Sequence, residues 1–442
     1  MHVALVRWAN YETGGFDLGF FDQLIYNTAQ GRFFENSFVW YNFTGQHFEP
    51  VLLLFVPAYW LGAGPLVLTI TQAVVAAGST IVLFFAARRW GLAPWVAASL
   101  GLAWMANPYL HRALYFDFHP EVMFALPLFA TLWATAAGRP RTAAALALSL
   151  LLFKEDAALV TLAVAALLWW RGYRRPAEVT AAAALAWTFV VVLVVMPWAR
   201  EGRPSDLVDR YGYLVGVSSQ AKLLPALLLH PWVIPWQLLQ PGHLWTAALL
   251  VAVSCPLALG RPWTLTLLVP SLSVALLSSA PDQSGLFLHY GAEPAALATI
   301  IGVIGAPRLA GRVPASLLGA AVVVSATLAF GLASPFAPWQ SDNTPSNGHR
   351  AAVAEALALI PGDESVTVSA QSGLVARLSQ RVGIYEFPGH YDGRADWVVV
   401  DQYGYRSSQS LADGFDAKLG VVRTTYERVF DRDGVEVFRR KQ

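Results

Sequence analysis

The chain has 442 residues, of which 56% are hydrophobic and only 13% charged, with a net charge of +1. A soluble domain carries about 25% charged residues, so this balance excludes an ordinary soluble enzyme. The absence of a basic stripe excludes nucleic acid as a partner. A single cysteine, Cys255, excludes an internal disulfide and a cysteine-based metal site.

The start of the chain lacks the basic stretch and apolar core of a signal peptide, and only about fifteen residues precede the first polar motif. Residues 1–49 are expected to form an acidic outer loop, and the spanning helix that should precede such a loop is missing from the sequence. A membrane-spanning helix needs roughly 20 apolar residues. Runs at 65–87, 92–108, 120–137, 177–198, 243–260, 262–280, 291–306 and 313–333 qualify or nearly do. Segments 50–62 and 222–240 are shorter and hold Pro50, Pro57, Pro225, Pro231 and Pro235. Proline removes a backbone donor that lipid cannot replace, so these read as interfacial or broken helices. The expected fold is an α-helical polytopic membrane bundle over 1–333, with about ten membrane helices.

Charge orients the bundle. Arg88, Arg89, Arg139, Arg141, Arg171, Arg174, Arg175, Arg261, Arg308 and Arg312 lie in short loops where Glu178 is the only acid. By the positive-inside rule these loops are cytoplasmic. The opposite loops hold Asp117, Glu121, Glu201, Asp206, Asp209, Asp282 and Glu293, although Arg112, Arg200, Arg203 and Arg210 dilute the bias there. Residues 142–170 are apolar except for Lys154-Glu155-Asp156 and have arginines at both ends. One span would put one arginine cluster outside. A hairpin keeps both inside, and its first arm, 142–153, reaches only about 18 Å. The hairpin is the favoured reading, and it puts the charged triplet within the membrane's depth, facing a polar cavity.

Beyond residue 333 the composition changes. Residues 334–347, rich in Ser, Pro and Asn, read as a linker. Residues 348–442 read as a small soluble α/β domain on the extracytoplasmic side. It has a helix at about 349–359 and strands at 365–369, 382–386, 397–401, 424–430 and 434–439, the last two joined by an Asp-Gly hairpin signal.

Four groups of ionisable residues fall on or near the outer side. Asp17 and Asp22 lie five apart, about 140° round a helix, so they play different parts rather than pairing. Asp17 reads either as a helix cap or as a general base. His47 and Glu49 precede an interfacial helix. Asp117, His119 and Glu121 surround Pro120 at the outer end of a span, where proline and acids also suit a helix start. Lys154, Glu155 and Asp156 are intramembrane ionisable residues, which are functional by default. His289 and Tyr290, with Glu293, form the last group. Carboxylates supply proton abstraction, and Lys154, with Arg112 as a second cation, suits an anionic phosphate. The His, Asp and Glu residues could bind a divalent metal ion, but their spacing defines no ligand set.

Phe16-Asp17-Leu18-Gly19-Phe20-Phe21-Asp22-Gln23, His47-Phe48-Glu49-Pro50, Phe118-His119-Pro120-Glu121 and Phe153-Lys154-Glu155-Asp156 resemble a family of predicted bacterial multipass membrane proteins. Ser369-Ala370-Gln371-Ser372 and Asp396-Trp397-Val398-Val399-Val400-Asp401 look like the same family, so the resemblance covers nearly the whole chain. That family is similar in layout to the GT-C glycosyltransferases, which carry an essential acid in the first outer loop, the position of Asp17. The resemblance implies an inner-membrane enzyme that passes a sugar from a polyprenyl-phosphate donor to a cell-envelope glycan, lipid or protein. It assigns Asp17 and Asp22 to catalysis. His47, Glu49, Asp117, His119, Glu121, Lys154, Glu155, Asp156, His289 and Tyr290 are expected, on their own chemistry, to bind substrate and phosphate. A metal is optional in such enzymes. The competing readings are a lipid or solute transporter and a non-catalytic membrane scaffold.

Overall fold

Apolar runs become continuous helices where proline does not interrupt them. The computed structural model describes residues 1–39, 41–337, 347–389, 393, 395–406 and 414–441. Among these residues four helices are long and apolar enough to cross a membrane: Leu66–Arg89, Arg174–Ala199, Ala292–Ala310 and Ala315–Ala333. Five shorter apolar helices accompany them: Pro50–Trp60, Pro120–Ala136, Pro140–Leu152, Pro241–Ser254 and Pro262–Leu276. Several expected spans are thus broken. The 92–108 run divides into Pro94–Met105 and Pro108–Tyr115, because the Asn107 side chain accepts a hydrogen bond from the Tyr109 N–H at 2.9 Å and Pro108 starts a new helix. The 243–280 region loses α-helix at Pro256 and Pro262, where two tight 3₁₀ segments, Pro256–Gly260 and Pro262–Leu268, replace it.

The 3₁₀ segments lie directly on Ala292–Ala310, the most enclosed of the long helices. A Cβ on Gly305 would fall 2.3 Å from the Leu257 carbonyl oxygen, so only glycine permits this contact. The 142–170 stretch is a hairpin of Pro140–Ser149 and Ala158–Trp170, and the Thr161 hydroxyl reaches across it to the Ala147 carbonyl at 3.3 Å. Lys154-Glu155-Asp156 sits at its tip. Ala158–Trp170 has 13 residues, so its far end lies about 20 Å from that tip. There, the Arg171 guanidinium stands 5.1 Å from the Trp90 ring centroid and that of Arg261 stands 5.2 Å from Trp170. Three of the basic loops therefore gather at one end of the bundle.

The C-terminal strands form one sheet: β1 Val368–Gln371, β2 Ile384–Phe387, β3 Trp397–Asp401, β4 Tyr426–Arg432 and β5 Val435–Arg440, in the order β2-β1-β3-β5-β4. β1 runs parallel to β2 and β3, while β5 is antiparallel to β3 and β4. The expected first strand begins three residues later and ends two later, and the third falls where expected. The Asn347–Ala358 helix was legible in the sequence; the Phe415–Thr425 helix was not, although Phe415, Leu419 and Val422 recur at helical spacing. Val399, Val435 and Val437 on one face join the core that runs into the membrane bundle. Val398, Val400 and Phe438 on the other pack with Phe415, Leu419 and Val422. Such alternation is the period-2 geometry of strands. Most of the expected linker, residues 338–346, lies outside the described residues.

The sheet is bound to the start of the chain. Residues Ser372–Val375 form a short helix against Gly15 and Gly19, and the Gly15 N–H donates to the Ser372 hydroxyl at 3.0 Å. The Arg377 guanidinium lies 3.5 Å from the Trp8 ring centroid. A Cβ on Gly19 would meet Val375 Cγ1 at 2.7 Å and the Ala376 nitrogen at 3.2 Å. Gly19→Val is therefore expected to destabilise this docking by about 1–3 kcal/mol. The measurement is limited proteolysis: the C-terminal sheet should be released faster than from the wild type, and an unchanged rate would contradict the contact.

Candidate functional site

Five loops that are far apart in sequence converge on one cavity of about 660 Å³. The first is the tight Gly15–Gly19 turn, a single turn of π-helix that carries Asp17. Neither its leading residue, Gly14, nor Gly19 at the next helix makes a side-chain cap, and Asp17 caps neither helix. Its Oδ1 instead lies 3.5 Å from His119 Nε2. The His119 ring stacks on His289 with centroids 3.9 Å apart and planes at 12°. His289 Nε2 lies 3.9 Å from Glu121 Oε1, and the Lys154 ammonium donates to the same oxygen at 2.7 Å. A continuous line of polar groups thus runs from Asp17 through both histidines to Lys154.

The remaining loop, 47–49, is clamped to the hairpin tip. Glu155 accepts from the Phe48 N–H at 3.0 Å, and its other oxygen lies 2.9 Å from His47 Nδ1. Glu49 is 2% exposed. Among the described residues, Glu49 Oε2, Glu121 Oε2, Asp156 Oδ1 and His289 Nδ1 are buried without a hydrogen-bond partner. Buried polar groups are costly unless paired, and all four belong to side chains that line the cavity. His289 enters from a strained loop, since Leu286 and Leu288 both adopt left-handed φ values of 55° and 53°. Branched residues rarely do so, and such strain gathers at functional sites.

Two residues expected in the site stand outside the cavity lining. Asp117 faces the N-terminal helix, where it pairs with Arg7 at 2.6 Å and accepts from the Gly14 N–H. Its carboxylate thereby anchors the strand of chain that leads into the Asp17 turn. Asp22 is fully buried against the C-terminal sheet, and accepts from the Tyr59 hydroxyl at 2.6 Å and the Ser379 hydroxyl at 2.7 Å. Both oxygens are engaged, so it fastens the sheet to the 20–29 helix and does not reach the cavity. Burial pushes its carboxyl up to about 6, and the three side-chain hydrogen bonds from Tyr59, Ser379 and Gln380 oppose that rise.

This shift carries a stability prediction. A carboxyl whose folded pKa is raised from about 4 to about 6 adds stability below about pH 4 that is lost as pH rises through 6, at most about 3 kcal/mol. Asp22→Asn keeps a neutral polar side chain, so it should flatten the fall in melting temperature between pH 4 and 6. A slope identical to the wild type would rule this out.

Arg112 is also absent from the lining; its guanidinium packs 5.1 Å from the Phe287 ring centroid. The cations beside Lys154 are instead Arg200 and Arg210, with Tyr41, Asp206 and Tyr211 near them. Arg200 donates to the Gly45 carbonyl at 2.8 Å and Arg210 to Gln283 Oε1 at 2.5 Å. The Tyr290 hydroxyl stands 3.5 Å from Arg210. These two arginines were visible in the sequence as exceptions to the charge bias of the outer loops. The lining also includes the apolar Leu159, Val192, Met196, Leu227, Ile234 and Leu277.

Burial pushes the Asp17 carboxyl well above the usual carboxylate range; the nearby charges of Asp117 and Glu386 add to the rise and Arg7 opposes it. Among the described residues no group of three or more His, Cys, Asp or Glu side chains is arranged to hold a metal ion.

Residues 7–437 match a protein family described as a predicted membrane protein, DUF2079. The chain belongs to that family. Among curated proteins nothing matches. Among solved structures, this member of the family is similar to ArnT from Cupriavidus metallidurans, crystallised bound to undecaprenyl phosphate. The two share 16% identity and a TM-score of 0.51, over 99% of this chain and 96% of that one. At that identity the likeness is one of fold: an ArnT-like arrangement of membrane helices with a small C-terminal sheet.

Proposed function

We propose that this protein is a GT-C-type membrane glycosyltransferase that moves a sugar from a polyprenyl-phosphate donor to an acceptor hydroxyl on the extracytoplasmic side of the inner membrane. The observation that carries the reading is a cavity lined by both charged and aliphatic side chains. It gathers Asp17, the two stacked histidines, Lys154, Arg200 and Arg210 together with Leu159, Val192, Met196, Leu227, Ile234 and Leu277. A lipid-linked phosphate sugar combines the same two chemistries, an anionic polar head on an apolar chain. The family's similarity in fold to a protein that binds undecaprenyl phosphate agrees with it.

In the proposed reaction the Asp17 carboxylate takes the proton of the acceptor hydroxyl. The resulting oxygen attacks the anomeric carbon, the bond from that carbon to the phosphate oxygen breaks, and polyprenyl phosphate leaves with the electron pair. Attack opposite the leaving group inverts the anomeric centre. His119, whose Nε2 lies 3.5 Å from Asp17, can steady its negative charge by directing an N–H toward it. Lys154, Arg200 and Arg210 are the groups suited to the charge that grows on the leaving phosphate. Asp117 and Asp22 act one step away, by holding the two ends of the segment that carries Asp17.

The test is transfer of a radiolabelled sugar from polyprenyl phosphate by the purified protein in detergent or proteoliposomes. Release of polyprenyl phosphate with formation of an inverted glycoside supports the proposal. Binding of the donor without turnover, across a panel of sugars and envelope acceptors, would count against an enzyme.

A further inference from the structure

At the end of the bundle away from Asp17 the structure brings together three arginines from separate elements. Arg171 ends the Ala158–Trp170 helix, Arg308 lies in the last turn of Ala292–Ala310, and Arg261 sits between the two 3₁₀ segments. Close contact of glycine backbones creates the meeting. A Cβ on Gly260 would fall 2.2 Å from the Gly305 carbonyl and 3.0 Å from Leu309, so residue 261 is held against the turn that carries Arg308. Arg261 is also tied to Arg171 through the ring of Trp170. We propose that Arg171, Arg261 and Arg308 bind the headgroup phosphate of an anionic phospholipid.

Two ordinary explanations cover part of this cluster. A positive charge favours a helix C-terminus, which accounts for Arg171 and Arg308, and short loops on the inner side collect arginine for topology. Arg261, at the junction of the two 3₁₀ segments, fits the same topological rule, but neither explanation requires its guanidinium to sit where the charges of both Arg171 and Arg308 act on it. Arg171 and Arg308 are the two charges that act on its guanidinium, and among the described residues no carboxylate forms an ion pair with any of the three. The Arg261 Nε is buried and has no hydrogen-bond partner. Like charges gathered without a counterion repel one another, and a phosphate would offset that repulsion.

The surroundings select a lipid phosphate over a soluble one. Trp169, Trp263 and Leu259 border the cluster at 50%, 41% and 71% exposure, and Trp170 meets Trp263 edge-on with centroids 5.1 Å apart. Tryptophans at this depth sit at headgroup level, and basic pockets between membrane helices hold anionic headgroups. A soluble anion would make no use of that apolar border.

The experiment is native mass spectrometry of the purified full chain titrated with phosphatidylglycerol or with phosphatidylcholine. The wild type should retain phosphatidylglycerol selectively. Arg261→Lys keeps the charge, and with it topology and folding, but loses the planar fork that matches phosphate, so it should weaken retention about tenfold. Arg141→Lys, an exposed arginine on another basic loop, should leave retention unchanged. Equal retention of both lipids would overturn the site, as would equal weakening by Arg141→Lys, which marks a diffuse surface attraction. Displacement of the lipid by inorganic phosphate would also overturn it, because the site would then serve a soluble anion.

Discussion

Asp17→Asn should lower the rate of sugar transfer from a polyprenyl-phosphate donor by about 10²–10⁴-fold, with the donor KM nearly unchanged. Asparagine matches aspartate in size and can keep its place beside His119, 3.5 Å away in the wild type, but it cannot accept a proton. The loss should therefore fall on kcat. The pH dependence supplies a second, independent check. A general base works only when ionised, and burial together with Asp117 and Glu386 holds the Asp17 carboxyl above the ordinary range. Activity should rise with pH along an acid limb displaced to higher pH than that of an ordinary aspartate. Glu386→Gln removes one of the negative charges that raise Asp17, so the limb should move to lower pH while the plateau stays near the wild-type rate. Profiles of kcat/KM against pH for the wild type and Glu386→Gln read this directly. Wild-type turnover by Asp17→Asn would remove Asp17 from the chemistry and leave the enzyme class standing.

Much of this arrangement was legible in the residues. The arginines at both ends of 142–170 favour a hairpin by the positive-inside rule, and the cost of placing Lys154-Glu155-Asp156 in lipid puts its tip in a polar cavity. Asp17, His119, Glu121 and His289 could be placed on one side of the membrane by the charge of the alternate loops. Their mutual distances could not, because the stack of His119 on His289 depends on left-handed turns at Leu286 and Leu288 that no propensity foretells. Asp22 shows the limit from the other direction. Its spacing from Asp17 separates the two carboxylates, but only the position of Ser379, 357 residues away in sequence, decides that it serves the docked sheet. Where an apolar run stays one continuous helix is set by a similar detail. Hydropathy sums apolar residues and is blind to Pro256 and Pro262, which turn the helix into tighter segments packed on glycine. Arg200 and Arg210 were read as noise in the charge bias and are part of the cavity wall.

Lys154→Met should be the most destabilising single change in the cavity, by about 3–5 kcal/mol. The ammonium donates to Glu121 at 2.7 Å, and Glu49, Glu155 and Asp156 are the other acids whose charge acts on it. With side chains 12% and 7% exposed, Lys154 and Glu121 are shielded from water, and methionine would leave several carboxylates facing one another with no buried cation among them. Removing one partner of a buried pair costs far more than removing both. Lys154→Met combined with Glu121→Gln should therefore recover most of the melting temperature lost by Lys154→Met alone. A double-mutant cycle on thermal unfolding in one detergent measures that coupling. If Lys154→Met unfolds at the wild-type temperature, the carboxylates around it are compensated by another group and the ion pair is not what holds the hairpin tip. The recovered double variant also separates stability from binding: it is expected to fold, yet to hold a polyprenyl-phosphate donor more weakly, because the cation that faces the phosphate is gone.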